Sequence, residues 1–243
     1  MYPTDKEAKE LIISIGRKMY EGGFVSANDG NITIRVDDDA VWATPTGVSK
    51  GDLSEDKLIK LNMKGEVLEG TWKPTSELAM HLNAYRVDND LMSTVHAHPL
   101  YLSAFACAGI DLDLPSTPAA CAISGRVPVI PYECSGSAEL ANSIIPYVKK
   151  YHVVNLGNHG PLAWGKTPIE AWYRMEDAEA SCKLALTILQ VGRLRPLSRN
   201  QLIHLFDFHH VDMTKDAYVA MVDETNNHEP AIPFTEYFKQ SLK

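Results

Sequence analysis

Strand-length apolar segments in this chain arrive in pairs joined by short turns, and that spacing constrains the fold more than any other feature. Ile32-Thr33-Ile34-Arg35-Val36 alternates as a half-buried strand does, Asp37-Asp38-Asp39 turns the chain, and Ala40 to Thr44 returns. Leu58 to Asn62 and Glu66 to Glu69 repeat the arrangement through Lys64-Gly65. Val153 to Leu156 and Leu162 to Trp164 repeat it around Gly157-Asn158-His159-Gly160. Turns this short join antiparallel neighbours, because a parallel pair needs a crossover of a dozen or more residues. Two further strands, Leu91 to His98 and Val127 to Pro131, stand between helical stretches.

The helices announce themselves through their caps. Thr4 followed by Glu7 is a capping box, Ala8, Leu11, Ile12, Ile15 and Met19 recur at helical spacing, and Gly22-Gly23 ends the run. A small hydroxylated residue in Lys73-Pro74-Thr75-Ser76 is expected to cap a helix reaching about Arg86. Pro99 opens a helix through Ala108, and a helix from Ser137 towards Tyr151 should kink or split at Pro146. Thr167-Pro168 opens the longest helix, which ends near Gly192. The tail from Arg193 to Lys243 carries no clear pattern. Hairpins with interspersed helices favour an α/β fold with a mostly antiparallel sheet over a doubly wound parallel one. No repeat or linker divides residues 1–243, so one domain is expected.

Composition narrows the partners. With 45% hydrophobic residues in 243, the chain can build one sizeable core without disulfides, and its four scattered cysteines read as reduced thiols of a cytoplasmic protein. Lys and Arg number 23 against 31 Asp and Glu, a net charge of −8, which disfavours nucleic acid and anionic membrane as partners. No apolar run approaches a membrane span, and the N-terminus lacks a signal-peptide layout.

His96-Ala97-His98 places two imidazoles on one side of a strand, and His159 follows 61 residues later (159 − 98) in a glycine-flanked turn. Three neutral imidazoles with an open fourth position are the ligand set of a catalytic divalent metal, zinc first. A pair of strand histidines satisfied by hydrogen bonds fits the same spacing. Glu77, in the first turn of its helix, reads equally as helix-start chemistry or as a general acid/base. Gly30-Asn31, Thr46-Gly47 and Thr75-Ser76 are each unremarkable turns or caps. Together they would suit a phosphate held by amides and hydroxyls.

Taken in order, Gly30-Asn31, Thr44-Pro45-Thr46-Gly47, Lys73-Pro74-Thr75-Ser76-Glu77, His96-Ala97-His98 and Asn158-His159-Gly160 resemble the class II aldolase/adducin family, from about residue 5 to about residue 190. The resemblance implies an α/β/α fold around an antiparallel sheet, assembled as a homotetramer with active sites at subunit interfaces. It implies that His96, His98 and His159 bind one Zn²⁺ per subunit. Asn31, Thr46, Gly47, Thr75 and Ser76 would hold the substrate phosphate, and Glu77 would be the acid/base. The implied reaction is reversible cleavage of a ketose 1-phosphate, as in members acting on L-fuculose 1-phosphate, into dihydroxyacetone phosphate and an aldehyde through a metal-stabilised enediolate.

One position departs from the pattern. Thr117 stands where aldolases of the family carry a tyrosine, supplied by a neighbouring subunit, that protonates the aldehyde oxygen; Tyr101, Tyr132 and Tyr218 are alternative sources. Epimerases of the family typically carry Asp at position 77, so Glu77 favours an aldolase. Sugar-phosphate dehydratases share the metal site and tolerate loss of the tyrosine. Adducin-like binding modules lack the complete triad that this chain keeps. The tail 193–243, with His204, His209 and His210, is expected to contribute to a subunit interface and to substrate choice.

Overall fold

The computed structural model describes residues 2–211. Tyr218 and the tail from 212 onward lie outside the described residues. Eight strands form one sheet in the order β4-β3-β2-β1-β5-β8-β7-β6. In chain order these are β1 (Asn31–Arg35), β2 (Ala40–Ala43), β3 (Ile59–Asn62), β4 (Val67–Glu69), β5 (Ser93–His96), β6 (Val129–Ile130), β7 (Val153–Leu156) and β8 (Gly160–Gly165). Every neighbouring pair is antiparallel except β6 with β7. The hairpins expected from the sequence are therefore present, and β5 lies at the centre, flanked by β1 and β8.

Alternate residues of each strand enter separate cores. Ile32, Ile34, Trp42, Val95, Val153 and Ala163 pack under α1 (Asp5–Glu21), α3 (Leu100–Ala108) and α5 (Pro168–Val191). Val41, Ala43, Ile59, Leu61, Val154, Leu162 and Trp164 pack under α2 (Leu78–Val87) and α4 (Ala138–Ser143) on the opposite face. This is the three-layer α/β/α architecture, and the period of two along a strand generates it. The buried indoles keep their polar atoms satisfied: Trp42 Nε1 donates to Asp5 Oδ1 at 2.8 Å and Trp164 Nε1 to the Tyr151 carbonyl at 2.8 Å.

The caps carry through. Thr4 and Glu7 close both bonds of the capping box, and Thr167 caps α5, which Gly192 ends in the left-handed conformation. Three expectations need correction. The helix from Ser137 stops at Ser143, well before Pro146, and continues only as turns. The helix before His96 does not start on a hydroxylated cap. Thr75 Oγ1 accepts from the Glu77 amide at 3.3 Å in a local turn, which pushes the start back by two residues and leaves Glu77 at the N-cap. Finally, residues 193–211 are not patternless: Ser198 and Gln201 form a capping box that starts α6 (Arg199–His209), packed through Leu202 and Phe206 against Cys121.

Candidate active site

Position 96 ends the central strand, so His98 lies two residues beyond it and not within it as the sequence suggested, and its amide donates to the Phe24 carbonyl at 2.9 Å. Next door, the β7–β8 turn carries His159 at the same end of the sheet. The approach requires glycine at position 160. A Cβ there would run into the Ala97 carbonyl oxygen and lie 2.8 Å from His98 Cδ2. Gly30 does the same for the neighbouring loop. Its φ is +74°, and a Cβ would sit 2.8 Å from the His96 carbonyl oxygen, so only glycine brings Asn31 alongside His96.

The three rings converge, with centroids 4.8–4.9 Å apart. One ligand atom from each lies within 4.8 Å of the others. The Pro161 carbonyl accepts from His96 Nδ1 at 2.8 Å, which fixes the tautomer and leaves the Nε2 lone pair facing the cluster. Asp29 Oδ2 stands 3.4 Å from His98 Nδ1. His96 Nε2 is 3.0 Å from His98 Nε2. Glu77 closes the group, with Oε2 3.4 Å from His96 Nε2 and Oε1 3.4 Å from His159 Nε2.

This donor set fits a cation. Lone-pair nitrogens and a carboxylate crowd one point, where a shared positive charge relieves their mutual repulsion. Tetrahedral arms of about 2.0–2.1 Å would give ligand–ligand edges of about 3.3–3.4 Å, the spacing Glu77 keeps to two of the rings. Burial pushes His96 well below the ordinary imidazole range against the pull of Glu77, and burial lowers His159 in the same direction. Neutral imidazole is the form that ligates. For Glu77, burial works against ionisation, but His96 and the hydrogen bonds of Asn31 and Ser135 outweigh it and hold the carboxyl below its usual range.

Glu77 is thus anchored from both oxygens. Asn31 Nδ2 donates to Oε2 at 2.9 Å and Ser135 Oγ to Oε1 at 2.8 Å. Its N-cap position makes no side-chain capping bond, so the carboxylate is turned into the site while still sitting in the positive field of the α2 N-terminus. The expected phosphate-binding residues gather around it. The loops carrying Thr46-Gly47 and Thr75-Ser76 are bridged between Pro45 and Pro74, and Gly136 faces Ser76 across a gap in which an added Cβ would lie 3.4 Å away. Thr46, Gly47 and Ser76 are exposed; Asn31 and Thr75 are buried. The Thr46 amide already donates to the Lys73 carbonyl at 2.9 Å, which leaves its hydroxyl available.

Three contributors escaped the sequence reading. Ser135 gave no signal beyond a Ser-Gly turn. His81 follows Glu77 at i+4, a spacing that could have marked it, and bonds Asn31 from beneath. Lys50 is buried and donates to the carbonyls of Asn28 at 2.9 Å and Val48 at 2.7 Å, tying the Asn31 loop to the Gly47 loop. Burial lowers it to about 8 despite Asp29 nearby. Thr117 Oγ1 accepts from the Ala120 amide at 3.2 Å, just ahead of the π-helical turn over Ala120–Ser124. His204, His209 and His210 are exposed on and after α6.

Comparison with known proteins places the chain in a family. The family model for the class II aldolase and adducin N-terminal domain matches residues 10–186. The chain belongs to this family. Among curated relatives, a 3-oxo-tetronate 4-phosphate decarboxylase of Pectobacterium atrosepticum is 32% identical over 206 residues, covering 83% of this chain and 94% of the relative. An L-fuculose phosphate aldolase of Methanocaldococcus jannaschii is 32% identical over 185 residues, covering 76% and 99%. The crystal structure of YgbL from Klebsiella pneumoniae, described as a candidate aldolase, epimerase or decarboxylase, superposes with a TM-score of 0.78 at 29% identity, covering 84% of this chain and 99% of that one. These class II aldolase relatives are enzymes named for phosphorylated sugars and sugar acids, and no helix among the described residues is long and apolar enough to cross a membrane.

Proposed function

We propose that this chain breaks the carbon–carbon bond between the α-carbon of a ketone and the next carbon out in a phosphorylated sugar derivative, to leave dihydroxyacetone phosphate, and that the substrate is a 3-oxo-tetronate 4-phosphate. The observation that carries the reading is Glu77, a single carboxylate fixed by Asn31 and Ser135 and in contact with two of three converging imidazoles. Loss of the carboxyl carbon of the 3-oxo acid as CO₂ leaves its bonding pair on C2 as an enediolate. Glu77 takes up a proton from solvent during turnover and passes it to that carbon, so the reaction consumes one H⁺ overall and the product is dihydroxyacetone phosphate. A divalent cation on His96, His98 and His159, which we propose is Zn²⁺ at one per subunit, supplies Lewis-acid stabilisation of the developing charge.

The departing CO₂ needs no proton, so the chemistry makes no demand on a tyrosine at position 117, where threonine stands. Asn31, the exposed hydroxyls of Thr46 and Ser76, Thr75 and the Gly47 backbone hold the phosphate in this proposal. Lys50, which ties the Asn31 loop to the Gly47 loop, adds a positive charge to this cradle in the proposal. A homotetramer with interfacial sites and a cytoplasmic location belong to the same proposal.

Aldol cleavage of a ketose 1-phosphate is the second reading, favoured by the full-length similarity to an L-fuculose phosphate aldolase. It forms the same enediolate and uses Glu77 identically, but a further group must accept the hydroxyl proton as the aldehyde leaves. A panel of 3-oxo-tetronate 4-phosphates, ketose 1-phosphates and ketose 5-phosphates separates the readings. Equimolar CO₂ and dihydroxyacetone phosphate from the oxo acid is expected. Dihydroxyacetone phosphate from ketose 1-phosphates alone establishes the aldolase, and a stereoisomer without cleavage overturns both.

A further inference from the structure

Behind Glu77 lies a polar network that the proposed reaction does not use. His81, Thr33, Thr94 and Tyr85 are all fully buried between the sheet and α2. Asn31 Oδ1 bonds His81 Nε2, and His81 Nδ1 bonds Thr94 Oγ1. Thr94 Oγ1 lies 2.6 Å from Thr33 Oγ1, which lies 2.7 Å from the Tyr85 hydroxyl. Such a network in an apolar core is costly unless every member is satisfied, and here each one is.

The direction of the chain follows from its end. A carboxylate accepts only, so Asn31 must present its NH₂ to Glu77 and its carbonyl oxygen to His81. His81 must then carry its proton on Nε2 and accept at Nδ1. Thr94 or Thr33, 3.3 Å away, supplies the hydroxyl donor to that nitrogen, and the Tyr85 hydroxyl closes the network on Thr33, at its Oγ1 or at its carbonyl 3.0 Å away. The two bonds nearest the site, His81 to Asn31 and Asn31 to Glu77, therefore both point toward Glu77, and neither can reverse without setting two acceptors face to face.

We propose that His81 is a positioning residue that, as the neutral Nε2–H tautomer, locks the Asn31 amide with its NH₂ toward the reacting carboxylate. A flipped Asn31 would set its oxygen against Glu77 Oε2 and against any phosphate bound on the same side. The tautomer is durable because burial pushes His81 down to about 4, with Glu77 opposing, so the ring stays neutral at physiological pH. The role of Glu77 on which this rests is the one proposed above.

The test separates the donor to Asn31 from the rest of the ring. In His81→Gln the amide N–H falls near the place of Nε2–H and can still bond Asn31. In His81→Asn the shorter amide falls near Nδ1 and reaches Thr94 but not Asn31. Exchange of a hydroxymethyl hydrogen of dihydroxyacetone phosphate in D₂O is followed by NMR on metal-loaded enzymes. His81→Asn and His81→Leu are expected to lose about 10–100-fold in maximal rate, the range typical of partners behind a metal site, while His81→Gln stays within about threefold. Equal losses in Gln and Asn, or no loss in Asn, overturn the proposal.

A second readout is independent of activity. Nitrogen-15 histidine spectra at neutral pH should contain a neutral Nε2–H ring whose signals vanish in His81→Gln; an Nδ1–H or charged ring at that position overturns the proposal. If wild-type enzyme leaves the ketone unexchanged, the proposed reaction fails, and the spectra alone decide the role of His81.

Discussion

Replacing Gly160 by alanine should separate the geometry of the metal site from the general stability of the sheet. The new Cβ would run into the Ala97 carbonyl oxygen, a backbone atom with no rotamer to yield, and would lie 2.8 Å from His98 Cδ2. Ordinary carbon–carbon contact begins near 3.5 Å, so the His98 ring must retreat by about 0.7 Å or β8 must slide away from β5. Overpacking of this kind costs roughly 1–3 kcal/mol. Ligand distances tolerate only about 0.2 Å, so either movement spoils the cluster, and metal affinity should fall at least about tenfold. The control is Gly109→Ala at the end of α3. There φ is +67° and nothing lies within 4 Å, so the variant pays only the left-handed strain of about 1–2 kcal/mol. Chelator competition and urea melts of both variants provide the comparison. Destabilisation of both, with loss of affinity in Gly160→Ala alone, is the expected outcome. Wild-type affinity in Gly160→Ala would refute the idea that this contact sets the ligand geometry.

Two further predictions concern pH and the metal. Burial lowers His81 to about 4, and burial with Arg174 lowers His152 to about 3, both below the unfolded value near 6.5. Their stabilisation is complete above pH 6.5 and is lost as pH falls, about 2 kcal/mol each by pH 5, while Asp113, raised to about 6 by burial, offsets about 1 kcal/mol. Urea melts at pH 7.5 and pH 5 should show His152→Gln losing less stability than wild type over that interval; an unchanged difference would refute the assignment. Dialysis against a chelator should abolish turnover and lower the melting temperature, and divalent-ion readdition should restore both. Full activity in protein shown free of metal by mass spectrometry would refute the role given to the triad.

The layered fold was legible because its signals are local. The hairpin turns, the Thr4–Glu7 box and the Thr167-Pro168 start each act within a few residues, and the structure keeps all of them. The three histidines were legible for the same reason, since His96 and His98 stand two residues apart and His159 sits in a recognisable turn. What escaped depends on contacts between segments far apart in sequence. Ser135 reaches Glu77 across 58 residues and His81 reaches Asn31 across 50, and neither pairing has a local pattern. The N-cap of α2 was misplaced because Thr75 Oγ1 accepts from the Glu77 amide in a turn ahead of the helix, a choice the local sequence does not distinguish from a cap. At α6 the capping box was present in Ser198 and Gln201, but with only Leu202 and Phe206 buried the apolar face is too narrow to stand out as a period.

The central claim is that Glu77 moves a proton at the carbon beside the carbonyl of a three-carbon ketone phosphate. Its most direct test is the exchange of dihydroxyacetone phosphate with D₂O, run on metal-loaded wild type and on Glu77→Gln with metal content measured in both. Wild type should replace one of the two hydroxymethyl hydrogens stereospecifically. Glu77→Gln should keep its metal and lose about 10²–10⁴-fold in exchange rate. Exchange at the wild-type rate in metal-loaded Glu77→Gln would contradict the account.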